Sequence, residues 1–190
     1  MKFILRLLCC GISGIAGFLL LATPSTARAQ FYLQENLVSD LTNPPGGPAK
    51  IVDSNLKNPW GVTYGPTSPF WVANQRTAKA TLYRVDGETG AVSKVPLVVQ
   101  IPASLVGAPK GPTGQVFNGT SNFVVSQGSA SGPALFIFAA LNGTISGWNP
   151  SVPPPPPSTT AQLAATGTPP PAIYTGLAMG TSSQGVVLYA

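Results

Sequence analysis

Apolar residues in positions 30–190 of this chain occur in short runs, separated by clusters of Gly, Pro, Asn and Ser. The runs are rich in Val, Phe, Tyr and Thr, and they lack the spacing of three to four residues that is typical of an amphipathic helix. The pattern predicts short β-strands, the first four of them at residues 61–64, 70–73, 81–85 and 95–101. The last run contains Pro96, which cannot donate a ladder hydrogen bond, so we expect this strand at the edge of its sheet.

The same order of strands recurs farther along the chain, at residues 115–117, 123–126, 134–140 and 144–148. GVTYGPTSPFWVAN at 61–74 aligns without a gap with GQVFNGTSNFVVSQ at 114–127, and GLAMGTSSQGVVLYA begins a third copy at 176–190. The alignment predicts that Gly61 and Gly114 occupy equivalent positions in the first strand of each repeat, which would be the innermost strand of its sheet. It also predicts that Phe70 and Phe123 are equivalent, both opening a second strand.

The interval between copies is 53 residues from Gly61 to Gly114 and 62 residues from there to Gly176. Strand-rich units that recur at such intervals are typical of repeat arrays. We therefore predict an all-β fold at residues 30–190, a partial β-propeller of four-stranded antiparallel blades. The third copy holds two of its four strands, which gives about two and a half blades. We expect the remaining blades in a longer parent, and self-association of this chain through its open faces.

A proline-rich segment lies at residues 151–171, with five consecutive prolines at 153–157 and three more at 169–171. Consecutive prolines favour the extended polyproline II conformation and remove backbone donors. We interpret the segment as an exposed loop between blades. The alternative is a ligand for a proline-binding groove.

Residues 1–29 have the organisation of a secretory signal peptide. Lys2 and Arg6 precede an uncharged run at 7–22, and Ala-Arg-Ala at 27–29 is a small-x-small cleavage site. The alternative is an uncleaved membrane anchor, but the run is shorter than the roughly 20 residues that span a bilayer. We expect a secreted protein, periplasmic or extracellular, that has no membrane attachment after cleavage.

Composition narrows the classes of partner. Both cysteines, Cys9 and Cys10, lie in the predicted signal peptide, so the processed chain has no disulfide and must be held by its core. The processed chain then has seven Lys and Arg residues and five Asp and Glu residues, which gives it a net charge of +2. No run of basic residues is present, so we expect no nucleic-acid partner.

Four motifs resemble a family of secreted bacterial proteins to which no activity is assigned. They are NLVSD at 36–40, DSNLKNPWG at 53–61, SPFWVAN at 68–74 and ALFIFAALNGTISGWNP at 134–150. The resemblance covers residues 36–190, and the block N-L-x-N-P-W-G is its most specific part. It implies a secreted six-bladed propeller of roughly twice this length, and the proline run and the absent second half depart from that pattern.

Candidate site chemistry is sparse, because the chain has no His and its five carboxylates form no paired motif. A metal-dependent lactonase-type propeller would place acids and amides around its channel, and here Asp53, Asn58 and Asn74 are the available contributors. Turn and capping roles are the alternative for these three residues. Trp60 and Trp71 could form an aromatic platform for a sugar, or pack between blades.

Two functions from different classes follow from this inventory. The first is a non-catalytic extracellular binding or interaction propeller for an unknown ligand or protein. Asn58, Trp60 and Asn74 are then the candidate contacts on the channel face, and no catalytic, metal or cofactor site is expected. The alternative is a hydrolase-like or lactonase-like propeller enzyme whose catalytic residues lie on further blades.

Because Ala-Arg-Ala at 27–29 fits a cleavage site, we predict that the exported chain begins at Gln30. Intact mass spectrometry of the protein released from expressing cells measures its N-terminus directly. A released or membrane-bound form that keeps residues 1–29 would contradict the signal-peptide interpretation.

Overall fold

The computed structural model describes residues 34–102, 111–167 and 172–190, which contain strands, turns and bends and no helix. The all-β prediction is therefore confirmed, whereas the predicted signal peptide at 1–29 lies outside the described residues. Residues Glu35–Ala190 form one unit. Its strands are, in chain order, β1 (Val38–Ser39), β2 (Ile51–Val52), β3 (Pro59–Thr63), β4 (Phe70–Asn74), β5 (Lys79–Val85), β6 (Val92–Gln100), β7 (Pro112–Phe117), β8 (Val124–Gln127), β9 (Ala130–Pro133), β10 (Phe136–Ala140), β11 (Thr144–Trp148), β12 (Gln162–Thr166), β13 (Ala178–Ser182) and β14 (Gly185–Tyr189).

The first sheet is the predicted antiparallel meander, in the order β3-β4-β5-β6. β6 is an edge strand, as its proline requires. Thr81 pairs with Val98 and Leu82 with Val95, so Pro96 lies in a β-bulge of this edge strand. The bulge accommodates the missing donor without breaking a central ladder.

The second sheet has the order β12-β11-β10-β7, and here one sequence prediction is wrong. β7 pairs with β10, whereas β8 pairs with β9 in a separate hairpin inserted between them. Phe123, which precedes β8, is therefore not the counterpart of Phe70. The physical reason is burial: every residue of β10 is buried, but three of the four residues of β8 are exposed.

The remaining strands form two pairs. β13 and β14 are an antiparallel hairpin in the third copy of the repeat, and β1 and β2 are a short parallel pair near the N-terminal end of the unit. The proline-rich segment at 151–171 contains β12, which extends the second sheet beside β11.

The largest core cluster lies between the first and second sheets, which therefore pack face to face. Trp71 of β4 stacks on Phe136 of β10, with ring centroids 4.2 Å apart and an interplanar angle of 22°. The ring centroid of Trp148, in β11, lies 4.7 Å from that of Trp71. The other buried members come from both sheets and are Ala80, Leu82, Val99, Ile101, Phe138 and Ala161.

Two smaller clusters cover the opposite faces of these sheets. Successive residues of a strand point to opposite faces. Val72 therefore packs with Leu56 and Tyr83 on the far side of the first sheet. Ile137 belongs to a cluster on the far side of the second sheet, against which Leu177 and Leu188 of the third copy pack.

The register of the strands defines the structural repeat. Gly61 pairs with Ala73 in the first sheet and Gly114 with Ala139 in the second, which confirms that the two glycines are equivalent. A Cβ at Gly61 would lie 3.1 Å from the carbonyl oxygen of Thr113, and one at Gly114 would overlap the backbone at Leu177. The backbones of successive copies are therefore in close contact at these glycines.

The register relative to these glycines identifies Phe136, rather than Phe123, as the counterpart of Phe70. Three residues after each glycine lie Tyr64, Phe117 and, from Gly176, Met179. Phe117 pairs with Phe136, and Met179 pairs with Leu188. Phe136 packs towards the first sheet and Leu188 towards the second, so the second and third copies present the same position to the copy before them.

We predict that Trp71→Ala lowers the free energy of unfolding by about 3–5 kcal/mol, because it empties the contact between two sheets. Urea unfolding followed by circular dichroism measures the loss. Trp60→Ala is the matched control, and we expect a change within about 0.5 kcal/mol because that side chain is exposed. Equal losses from the two substitutions would contradict the described packing.

Candidate binding site

Asp53, the first residue of the DSNLKNPWG motif, is buried and bonded on both carboxylate oxygens. Oδ2 accepts hydrogen bonds from the Tyr83 hydroxyl at 2.7 Å and from Lys94 Nζ at 2.8 Å. Oδ1 accepts one from the backbone N–H of Asn55 at 3.0 Å. The carboxylate thus ties the segment that precedes the first sheet to strands β5 and β6.

The electrostatics of this group fit a structural role. Burial opposes ionisation of Asp53, but the hydrogen bonds from Lys94, Tyr83 and Asn55 outweigh it and hold the pKa of the carboxyl below its usual range. Burial, together with the neighbouring carboxylate, raises the pKa of Tyr83, whose phenol therefore remains a donor. Of the two roles predicted for Asp53, this geometry favours capping over that of a ligand.

The rest of the motif fastens the same segment to the turn between β4 and β5. The side-chain oxygen of Asn55 accepts a hydrogen bond from Lys79 Nζ at 2.8 Å, and its carbonyl accepts one from the Thr77 hydroxyl at 2.9 Å. Lys57 forms an ion pair with Asp40 at 2.8 Å. The motif thus holds the segment before the first sheet to β5, to β6 and to the turn between β4 and β5.

The three predicted contact residues lie at one end of the β3–β4 hairpin, where Pro59 pairs with Asn74. Asn58 is exposed, has a φ of 51°, and donates from Nδ2 to the side-chain oxygen of Gln75 at 2.9 Å. Trp60 is 47 % exposed. Asn74 is fully buried and donates to the Thr81 hydroxyl at 2.9 Å, so of the three only Asn58 and Trp60 can meet a ligand at the surface.

The two tryptophans that the sequence offered as a sugar platform separate in the structure. Trp71 is 2 % exposed and stacked between sheets, so it is a packing residue. Trp60 lies at the bulge in which β3 shifts register between Pro59 and Gly61. A bulge re-aims side chains, and it leaves this indole in solvent.

Gln115 of β7 was not identified from the sequence, although it links two sheets. Its side-chain amide donates to the carbonyl of Gly61 at 2.7 Å and to that of Trp71 at 2.5 Å. A buried polar residue among the strand residues is the available signal. Its partners are backbone carbonyls 54 and 44 positions earlier in the chain, which a local pattern does not reveal.

An apolar groove of about 360 Å³ lies on the face of the first sheet that points away from the second. Val62, Phe70 and Val72 form its floor, and Leu37 and Val38 form part of its wall. Its lining is mostly apolar, and its polar residues are Glu35, Asn36 and Tyr83.

The acidic residues in the described part of the chain show no arrangement suited to acid–base catalysis. Glu35 pairs with Lys50 at 2.8 Å, and Asp86 accepts hydrogen bonds from the backbone N–H groups of Glu88 and Thr89. Within residues 34–102, 111–167 and 172–190, no three His, Cys, Asp or Glu residues are grouped so that they could hold a metal ion.

A search of those same ranges for a helix long and apolar enough to cross a membrane found none.

Comparison with known proteins gives one related sequence and no activity. The chain is 32 % identical over 117 residues to an uncharacterised protein of Acanthamoeba polyphaga mimivirus. The match covers 61 % of this chain and 26 % of that protein, so the chain spans about a quarter of the length of the relative that it matches. No protein-family model and no solved structure matches the chain.

We predict that Asp53→Asn lowers the free energy of unfolding at pH 7 by about 1.5–3 kcal/mol, because it removes the buried charge that accepts hydrogen bonds from Tyr83 and from the partly exposed Lys94. A depressed folded-state pKa stabilises the protein above the ordinary pKa of about 3.9, and this contribution is lost as the pH falls through the folded value. The difference between wild type and variant should therefore shrink below about pH 4.

Urea titrations at several pH values measure this dependence. Asp86→Asn is the control, because Asp86 lies in an exposed turn and its loss should cost far less. A difference between wild type and Asp53→Asn that stays constant from pH 7 to pH 3 would contradict the described ion pair.

Proposed function

We propose that this chain is a secreted, non-catalytic binding protein built as part of a β-propeller. The observation that carries the fold proposal is the repeated packing relation. Phe136 of the second sheet packs against the first sheet, and Leu188 of the third copy packs at the equivalent position against the second sheet. Radial repetition of four-stranded sheets about their innermost strands is the organisation of a propeller.

The line of close contacts at the innermost strands supports the same proposal. Gly61 and Gly114 lie where one copy meets the next, and the side chains of Gln115 and Thr113 bond across these junctions. Gln115 donates to the preceding copy, while Thr113 donates to the carbonyl of Tyr174, just before the third copy, at 2.6 Å. These contacts hold successive copies in one relative orientation.

The proposal of binding rather than catalysis rests on how the polar residues are used. Asp40, Asp53 and Glu35 are each paired with a lysine, and Asn74 is inside the sheet. Trp60 and Asn58 remain at the surface, two positions apart in the chain. Aromatic faces with an adjacent hydrogen-bonding group suit ligands that present a ring face, such as carbohydrates.

The test uses Trp60 as its own reporter. Trp71 and Trp148 are buried, so iodide should quench mainly the fluorescence of Trp60, and Trp60→Phe should abolish most of the quenchable signal. We then expect cellohexaose, chitohexaose or xylohexaose to protect wild-type fluorescence from iodide. An Asn58→Ala variant should reduce that protection without changing the quenching of the free protein.

Two results would contradict the proposal. If none of these oligosaccharides protects the fluorescence from iodide, Trp60 is not part of an oligosaccharide-binding site. Hydrolysis of nitrophenyl esters or simple lactones by the purified protein, above the rate of a heat-inactivated sample, would favour a catalytic function instead.

A further inference from the structure

Two exposed aromatic rings on the far face of the first sheet occupy positions whose counterparts in the second sheet pack in the core cluster. Tyr64 and Phe70 lie 5.2 Å apart, and they are 62 % and 37 % exposed. Their counterparts by register are Phe117 and Phe136, which lie 5.6 Å apart. We call Val62, Tyr64, Phe70 and Val72 the leading face.

The second sheet shows what covers such a pair. Phe136 stacks on Trp71 of the preceding sheet at 4.2 Å, and Phe117 packs against the same cluster. The occupant of the leading face should therefore present a flat or branched apolar side chain at the position of Trp71.

The repeat itself supplies that side chain at the other end of the unit. Trp71 pairs with Thr63, Ile137 with Val116 and Tyr189 with Ala178, two residues after the respective glycine in each case. Trp71 and Ile137 are each covered by the copy that follows. Tyr189 is 58 % exposed. We call the side of the β13–β14 hairpin that carries Tyr189 the trailing face.

We propose that two copies of this chain associate head to tail, with the trailing face of one copy seated on the leading face of the other. The contact continues the packing that already joins the first sheet to the second and the second to the third copy. It goes beyond the proposed binding function and does not depend on it.

Charge and hydropathy are compatible with this contact. No Asp, Glu, Lys or Arg occurs after Lys110, so the trailing face brings no charged side chain that would have to be desolvated. Three residues of the leading face, Val62, Phe70 and Val72, line the 360 Å³ apolar groove. An exposed apolar patch of this kind is typical of an interaction surface.

The two faces are different surfaces, so the contact is heterologous, and each copy keeps one unused face unless the assembly closes. A substitution on either face alone should therefore block the homotypic assembly. Two variants blocked on opposite faces should still combine once, through the intact face that each retains.

The experiment uses Tyr64→Lys and Tyr189→Lys in the full chain, purified as cells process it. Analytical ultracentrifugation measures self-association, and circular dichroism verifies the fold of each variant. We expect concentration-dependent oligomers for the wild type, and at least about a 30-fold weaker association for each variant, as for a central aromatic residue of an interface. An equimolar mixture should contain a 1:1 complex and nothing larger.

Leu163→Lys is the matched control, an exposed apolar residue on the outer strand of the second sheet that should leave association unchanged. Tyr64→Ser and Tyr189→Ser replace the lysine variants if either fails to fold. A monomeric wild type at high concentration would overturn the proposal and assign the leading face to another sheet of a longer protein. Association that survives both substitutions, or a mixture that stays monomeric, would overturn it as well.

Discussion

The stacking of Trp71 on Phe136 is the contact on which the rest of the structure depends. Each sheet has apolar residues on both faces, so its stability depends on neighbours that bury them. The only cysteines, Cys9 and Cys10, lie outside the unit Glu35–Ala190, so no disulfide can hold the sheets together. Apolar burial between sheets, with Trp71 at its centre, has to supply that stability.

Local features of the sequence predicted the elements that local physics controls. The strands of the first sheet and the edge position of Pro96 follow from side-chain alternation and a missing donor. The pairing of β7 with β10 was missed because the fourteen-residue alignment matched turn residues rather than burial. The strand β12 was missed because it follows a run of prolines and its ladder partner is β11, which precedes that run.

The candidate site shows the same division. Asn58 and Trp60 are exposed, as a surface role requires, whereas Asn74 and Asp53 are used inside the fold. A short polar residue at the end of a strand can cap, bond across a turn or face a ligand, and only its tertiary partners decide between these roles. For Asp53 those partners are Tyr83 and Lys94, which lie 30 and 41 positions farther along the chain.

The central claim is that three copies of one unit share a single packing relation. Proton–proton contacts measured by nuclear Overhauser spectroscopy on the purified protein test it most directly. The predicted result is contact between the rings of Trp71 and Phe136, contact between the side chains of Ile137 and Leu188, and ladder contacts that pair β7 with β10. Ladder contacts that place β8 beside β7, with no contact between Trp71 and Phe136, would contradict it.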